Sequence, residues 1–184
     1  MVEVGVIHGR FQVLHNDHME YILAGKARCE FLVIGITNPD PTLTRADPAD
    51  PSRSAATGNP LTYFERCIMA REALLASGIS PAEFVITPFP INVPELYRWY
   101  VPMDATYYLT IYDAWGRRKL AMFQTMGLKT EVLWERHSAN KGLSATEIRR
   151  KMARGEPWED LTPAPVAQLL KKWSIPGRLR KLGV

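Results

Sequence analysis

Residues 2–18 read VEVGVIHGRFQVLHNDH, and the pattern of this stretch indicates the class of fold. Its first part, residues 2–7, is short and rich in β-branched side chains, which is typical of a buried β-strand. Gly9 lets the backbone turn tightly, and a helical spacing of apolar residues runs from Asn16 to Lys26. The stretch therefore predicts a strand, a turn and a helix, the first unit of an α/β protein.

The rest of the chain continues this alternation. Further strands are predicted at residues 31–36, 83–87, 106–111 and 130–134, and helices at 61–77, 94–101, 115–126, 144–154 and 164–173. Residues 37–60 hold five prolines and are predicted to form a long loop. About five parallel strands flanked by helices predict a Rossmann-like, doubly wound α/β sheet. We expect a single domain over residues 1–173 and a short basic tail at 174–184.

The composition is that of an ordinary globular domain. The chain has 184 residues, 46% of them hydrophobic and 23% charged, which is enough for one domain with a real core. Lys and Arg number 23 against 19 acidic residues, an excess that suits phosphate-bearing ligands without requiring nucleic acid. We find no apolar run long enough to span a bilayer and no signal peptide. Cys29 and Cys67 are expected as free thiols, and the location as cytoplasmic.

His15 and His18 stand three residues apart at the start of the first predicted helix. Both imidazoles are therefore expected on one side of its first turn. Helix N-termini attract anions, and imidazoles placed there can donate hydrogen bonds that strengthen as charge grows on a phosphoryl group. A zinc pair or surface histidines are the alternatives, but His8 and His137 are weak candidates for a third zinc ligand. The pattern favours phosphate chemistry.

A second helix start lies near the far end of the chain, where residues 142–152 read GLSATEIRRKM. Ser144 is a natural N-cap, Thr146 points out of the helix start, and Arg149 lies about one turn further along. Together they predict a second anion site that faces the first. An ordinary capped helix with solvated basic side chains is the alternative.

These motifs resemble a known family. Gly-Arg-Phe-Gln-x-x-His-x-x-His after the first strand is similar to the signature of the nucleotidyltransferase superfamily, and most similar to that of archaeal-type nicotinamide-nucleotide (NMN) adenylyltransferases. Residues 144–149 resemble its Ser-x-Thr-x-x-Arg motif, and residues 59–66 (NPLTYFER) resemble the start of its third helix. The family reaction is attack by an acceptor phosphate on the α-phosphorus of a nucleoside triphosphate, with release of pyrophosphate. The resemblance also implies Mg²⁺, held mostly by substrate and water, and no protein ligand for it is named.

The resemblance implies roles for individual residues. His15 and His18 would contact the triphosphate and stabilise the pentavalent α-phosphorus. The β- and γ-phosphates would be held by Arg10, Ser144, Thr146 and Arg149, of which Arg10 and Arg149 are counted as catalytic together with the two histidines. Gly9 and Phe11 would let nucleotide and acceptor approach the backbone, and Gln12 of the same motif is expected among the nucleotide-binding residues.

The chain departs from the family pattern near the base. Asp17 stands where the family has glycine, and its side chain changes the space available to the base or ribose. Residues 110–115 (TIYDAW) replace the Ser-Gly-Asn that follows the fourth strand in the family. Asp113 in this segment is the acidic residue expected to read the base or ribose.

It also departs near the acceptor. Tyr97 stands where the family has a tryptophan that stacks on nicotinamide, and a tyrosine can stack too. Tyr97 and Trp115 are therefore expected to line the acceptor or base pocket. The long loop adds Arg45 and Arg53, which are expected to bind an acceptor phosphate.

The phosphate-binding motifs are intact, whereas the departures fall where base and acceptor are selected. By resemblance, ATP and NMN are the default substrates. The alternative is a CTP-dependent cytidylyltransferase that acts on a small phosphate or phosphonate, with Asp17 or Asp113 reading the cytosine amino group. A non-catalytic nucleotide sensor, a synthetase-like enzyme and a nucleic-acid-binding module are less favoured. Trp158 and Trp173 are either interface or core residues, so a homo-oligomer stays open.

Overall fold

The computed structural model describes residues 1–44, 54–136 and 142–184. Its sheet contains five strands: β1 (Val2–Gly9), β2 (Cys29–Thr37), β3 (Phe84–Phe89), β4 (Thr106–Ile111) and β5 (Lys129–Glu135). Their spatial order is β3-β2-β1-β4-β5, and every neighbouring pair is parallel. The predicted five-stranded parallel sheet is confirmed.

Six α-helices accompany the strands in the described residues: α1 (Asn16–Lys26), α2 (Tyr63–Ala76), α3 (Ala114–Thr125), α4 (Ala145–Arg154), α5 (Ala164–Lys172) and α6 (Ile175–Lys181). One hydrophobic core lies on the sheet face that carries α1, α2 and the three C-terminal helices, and a second core lies under α3. Successive side chains of β1 point to opposite faces, so Ile7 belongs to the first core and Val6 to the second. The sheet is thus covered on both faces, as a doubly wound fold requires.

The predicted elements agree with this structure apart from a few residues at their ends and one change of helix type. The helix expected at 94–101 is a 3₁₀-helix, Pro94–Trp99. α2 begins with a capping box, since the backbone N–H of Glu65 donates to the Thr62 hydroxyl and that of Thr62 donates to the Glu65 carboxylate. In the long loop, Arg45 and Arg53 lie outside the described residues.

The C-terminal residues form a packed helix, so the expectation of a solvated basic tail at 174–184 is wrong. Ile175 and Leu179 of α6 are fully buried, and α6 packs against α4. The Arg178 guanidinium donates to both oxygens of Glu65, at 2.7 and 2.8 Å, and to the Pro60 carbonyl at 3.1 Å. Helix α6 therefore packs as part of the same core as α4 and α5.

The switch point of the sheet lies between β1 and β4. From β1 the chain proceeds outward to β2 and β3, whereas β4 returns to the other side of β1 and leads to β5. The loops that follow β1 and β4 diverge at this point and leave a crevice at the carboxyl ends of the strands. No described helix is long and apolar enough to cross a membrane.

Candidate functional site

A cavity of about 220 Å³ opens at the switch point. Its walls come from the segments that follow β1, β2, β3 and β4 and from the starts of α1, α3 and α4. The lining residues are His8, Gly9, Arg10, Phe11, Gln12, His18, Thr37, Asn38, Ile91, Asn92, Thr110, Tyr112, Asp113, Trp115, Gly116, Lys119 and Ala145. The cavity therefore joins both signature motifs with the segments that the sequence assigned to base and acceptor.

The two signature histidines lie against each other at the start of α1. His15 is the N-cap and His18 lies in the first turn, and their rings stack with centroids 3.6 Å apart. The backbone N–H of His15 donates to His18 Nδ1 at 3.3 Å, so the proton of a neutral His18 ring lies on Nε2. His18 lines the cavity, whereas His15 is buried behind it. The arrangement gives the cavity a hydrogen-bond donor at a helix N-terminus.

Within the described parts of the chain, the two histidines do not belong to a group of side chains placed to bind a metal ion. Among residues 1–44, 54–136 and 142–184 there is no group of three or more His, Cys, Asp and Glu side chains placed to hold a metal ion. His137, one of the weak candidates for a third zinc ligand, lies outside these ranges.

The two signature motifs meet in space, although they are far apart in the chain. The Arg149 guanidinium of α4 donates to the carbonyl of Gln12, which precedes it by 137 residues. The Asp17 carboxylate of α1 accepts a hydrogen bond from the Leu143 N–H at 2.6 Å. A Cβ at Gly142 would collide with that carboxylate, so the glycine permits the approach. The starts of α1 and α4 are thus tied together beside the cavity.

Arg149 is buried between the motifs. Only 4% of it is exposed, and its Nη2 donates to the Thr146 hydroxyl at 3.2 Å, while Nε has no hydrogen-bond partner among the described residues. Burial lowers the pKa of Arg149 to about 10, so the side chain keeps its charge at neutral pH. Ser144 is the predicted N-cap of α4, but its hydroxyl makes no capping hydrogen bond and it is exposed. The structure places Arg149 as a link between the loops, next to Thr146.

Two residues expected to contact nucleotide, Gln12 and Asp17, have side chains hydrogen-bonded to the backbone of the protein, and of the two Gln12 lines the cavity. Gln12 is 2% exposed, and its side-chain amide both donates to and accepts from the Leu61 backbone, each at 2.9 Å. Asp17 does not line the cavity, because its carboxylate is turned toward Leu143. Both side chains therefore hold loops in place around the site.

Gly9 and Phe11 fit each other closely. The positive φ, +50°, occurs at Phe11, so the left-handed turn lies there and not at Gly9. A Cβ at Gly9 would lie 2.7 Å from two atoms of the Phe11 ring, which is 1% exposed. The same ring contacts His18 edge to face, with centroids 5.2 Å apart. Gly9 is therefore required for space, and the position of His18 depends on it.

Gly9→Ala is expected to impair both stability and turnover. The added methyl must displace the buried Phe11 ring, at a cost of about 1–3 kcal/mol, and the ring supports His18. Thermal unfolding and steady-state kinetics measure the two effects. Gly177→Ala is the control and should keep both stability and turnover, because only the tip of the Arg180 side chain lies near the added methyl. Gly78→Ala is not a suitable control, because Gly78 has a positive φ that alanine rarely adopts. Full activity of Gly9→Ala would contradict this account.

The segment after β4 places Asp113 and Trp115 at the cavity. Asp113 is the N-cap of α3, and its Oδ1 accepts from the Gly116 N–H at 2.9 Å. Trp115 lies under the guanidinium of Arg118, 5.6 Å from the ring centroid. Arg10 lines the cavity from the β1 side. All three residues, which the sequence predicts to bind substrate, therefore line the cavity.

Tyr97 does not line this cavity, in contrast to the expectation. Its side chain is fully buried in the second core, against Phe89 and Phe123, and its hydroxyl donates to the Ile91 carbonyl at 2.8 Å. Burial raises its pKa well above the usual range. The tyrosine supports the Ile91 and Asn92 segment from below and cannot stack on a ligand there.

Sequence reasoning missed the central role of Arg66. This residue of α2 is 1% exposed, and its guanidinium donates to the carbonyls of Arg10, Thr37 and Asn38 at 2.7–3.0 Å. Burial lowers its pKa to about 10, so it remains charged at neutral pH. The sequence does contain a signal for this role, because Arg66 lies within the NPLTYFER motif and on the face of α2 that also carries Met69, Ala70 and Ala73. One side chain thus fixes the ends of β1 and β2 relative to each other.

Comparisons with known proteins agree with the site. The model of the cytidylyltransferase-like family matches residues 6–151. The chain is 48% identical over 176 residues to phosphonoformate cytidylyltransferase of Streptomyces viridochromogenes, covering 96% of this chain and 95% of that protein. It is 32% identical over 181 residues to nicotinamide-nucleotide adenylyltransferase of Pyrococcus furiosus, covering 97% and 88%. The resemblance drawn from the motifs is confirmed.

A solved structure shares the fold. It is a bifunctional NMN adenylyltransferase/ADP ribose pyrophosphatase from Francisella tularensis complexed with AMP and a manganese ion, with a TM-score of 0.69 and 15% identity. The alignment covers 99% of this chain, which spans about half (52%) of that longer protein. With the family match over most of the chain, the joined signature motifs and the cavity beside them, these findings lead to one conclusion: the chain belongs to the cytidylyltransferase-like family and is a nucleotidyltransferase.

Proposed function

We propose that this protein transfers CMP from CTP to a small phosphonate or phosphate acceptor and releases pyrophosphate. The observation that carries the proposal is the pair of hydrogen-bonded links between the starts of α1 and α4 beside one cavity. Two helix N-termini and the His18 imidazole then face one polyphosphate. The 48% identity to a phosphonoformate cytidylyltransferase over nearly the whole chain supports the choice of substrates.

The proposed reaction needs positioning and charge stabilisation. An oxygen of the acceptor attacks the α-phosphorus of CTP, and the bond from that phosphorus to the bridging oxygen breaks, so pyrophosphate leaves. An ionised phosphonate is an adequate nucleophile without a general base. His18 Nε2–H donates to an α-phosphoryl oxygen as negative charge accumulates there, and His15 holds the His18 ring by stacking.

The β- and γ-phosphates would bind to basic side chains and to the helix N-termini that follow the two motifs. Arg10 lies on the cavity wall, and Ser144 and Thr146 occupy the start of α4. Arg149 supplies positive charge behind Thr146 and holds the Gln12 carbonyl. These residues would bind the β- and γ-phosphates and stabilise the leaving group.

The residues at the positions that would select the base and the acceptor favour cytidylyl transfer over adenylyl transfer. Tyr97, which stands in place of the family's nicotinamide-stacking tryptophan, is fully buried and has its hydroxyl bound to Ile91. Asp113 and Trp115 remain at the cavity, where a carboxylate can accept from the cytosine amino group and an indole can stack on a ring. ATP and NMN stay the second candidate pair, because the Pyrococcus furiosus relative is an NMN adenylyltransferase.

The described residues do not offer a protein-held metal site. Asp113 is the sole carboxylate among the residues that line the cavity, and it already accepts the capping hydrogen bond from Gly116. We therefore propose that Mg²⁺ enters as a complex with the nucleoside triphosphate, as part of the substrate.

We also propose a cellular location and binding partners for this protein. Free thiols at Cys29 and Cys67 support a reducing compartment, and we propose the cytoplasm. Trp158 is 5% exposed and belongs to the first core, so it supports the domain itself and not an interface between copies. The proposed partners are the nucleotide and a small acceptor, without nucleic acid.

A pyrophosphate-release screen tests the proposal. ATP, CTP, GTP and UTP are each combined with phosphonoformate, a simple alkylphosphonate, NMN or nicotinate mononucleotide, with Mg²⁺ present. We expect CTP with a phosphonate to give the highest kcat/KM, by about tenfold or more over ATP with NMN. The reverse order would establish the adenylyl alternative. Nucleotide binding without pyrophosphate release from any pair would establish a sensor and overturn the proposal.

A further inference from the structure

His8 is a buried imidazole that the proposed chemistry does not use. It lies near the end of β1, is 6% exposed, and packs its ring against Phe89 and Phe123 at centroid distances of 5.5 and 5.3 Å. Neither ring nitrogen has a hydrogen-bond partner among the described residues. Buried polar atoms are almost always hydrogen-bonded, because an unsatisfied one destabilises the protein. This ring is therefore suited to a partner that arrives from outside.

The ring borders the cavity of the site. His8 lines the switch-point cavity, and so does Lys119 of α3. Burial, followed by the charge of Lys119, lowers the pKa of His8 well below its usual range, so the ring is neutral at pH 7. A neutral imidazole has one N–H donor and one acceptor. The cavity thus has an imidazole donor and an ammonium group among its lining residues.

We propose that His8 and Lys119 bind a second acidic group of the acceptor, separate from the phosphonate that attacks the nucleotide. The inference rests on the proposed function and specifies its substrate class: a compact phosphonate that also bears a carboxylate. The imidazole N–H donates to one carboxylate oxygen, and Lys119 balances the charge. An acceptor without this group leaves the His8 donor unpaired in the closed complex, which penalises it.

Steady-state kinetics with two probes test the assignment. Phosphonoformate carries a carboxylate and methylphosphonate does not, so the ratio of their kcat/KM values reports recognition of that group. In the wild type we expect a preference for phosphonoformate of about tenfold or more. His8→Leu should raise KM for phosphonoformate by about tenfold or more, while KM for methylphosphonate and for CTP stays within about twofold. His8→Asn, which keeps an amide donor, should recover part of the preference.

Thermal unfolding separates binding from a structural role. His8→Leu removes an unsatisfied polar group from an apolar core, so its melting temperature should equal or exceed that of the wild type. The control is Val6→Ala, on the same face of β1 and fully buried in the same core, but not lining the cavity. It should lower the melting temperature and keep the acceptor preference. An unchanged preference in the folded His8→Leu and His8→Asn variants would overturn the inference.

A binding measurement distinguishes this inference from the proposed function. Phosphonoformate alone should raise the melting temperature of the wild type and of Val6→Ala but not of His8→Leu. If that pattern holds while no nucleotide yields pyrophosphate, the acidic-group site stands and the transferase proposal fails. If cytidylyl transfer is found while phosphonoformate protects wild type and His8→Leu equally, or protects neither, the site assignment fails and the transferase proposal stands.

Discussion

His18→Ala should lower kcat by about 100-fold or more, since it removes a donor that acts on charge developing in the transition state. The ring lines the cavity, and its Nδ1 accepts from the His15 N–H, so the proton of the neutral ring lies on Nε2. The loss should appear mainly in kcat and less in KM for CTP, because the hydrogen bond strengthens as the reaction proceeds. Pyrophosphate release under saturating substrates measures it.

Two further variants test whether the missing His18 donor causes the fall in kcat. Leu23→Ala alters the exposed side of α1, where Leu23 is 39% exposed, and should leave kcat unchanged. His18→Gln keeps a side-chain donor and should retain more activity than His18→Ala. Near-normal turnover of a folded His18→Ala protein would remove the histidine from the mechanism.

Arg66→Leu should have the largest effect on stability, a loss of about 3–5 kcal/mol in the free energy of unfolding. The substitution leaves the carbonyls of Arg10, Thr37 and Asn38 buried without their donor. Because those carbonyls belong to the loops that shape the cavity, turnover should fall as well. Chemical denaturation followed by circular dichroism gives the stability, with the slope of the transition as a check on two-state behaviour.

The same helix provides the control for Arg66. The Arg71 side chain is 51% exposed and pairs with Glu72 on the surface, so Arg71→Leu should change stability by no more than about 0.5 kcal/mol. The stability of Arg66→Lys should lie between those of Arg66→Leu and Arg71→Leu, since one ammonium group reaches fewer carbonyls than a guanidinium. Equal stabilities of Arg66→Leu and Arg71→Leu would show that the buried network contributes nothing.

The sheet and the meeting of the motifs could be predicted from the sequence. Local patterns carry the information: a β-branched run precedes Gly9, and helical spacing follows Asn16. The histidine pair and the Ser-x-Thr-x-x-Arg motif then identified two helix starts suited to anions. Their juxtaposition is confirmed by the Asp17 and Arg149 hydrogen bonds.

Other features depend on tertiary contacts and could not be predicted in this way. Residues 174–184 have little helical signal, because α6 contains Pro176 and Gly177 and owes its place to Ile175, Leu179 and the Arg178 pairing. The buried position of Tyr97 depends on its neighbours in the second core. Whether Asp17 and Gln12 meet ligand or backbone is decided by partners far along the chain. Residue type predicts the chemistry of such side chains but not the direction in which they point.

The pairing of Arg178 with Glu65 and Pro60 bears on how the enzyme matures. These contacts connect the final helix to the entrance of α2, the helix that carries Arg66 and through it the loops of the cavity. On the ribosome α2 is synthesised before α6, and until α6 docks the entrance of α2 lacks that support. A chain that stops before residue 175 should therefore bind nucleotide more weakly than a chain that includes α6.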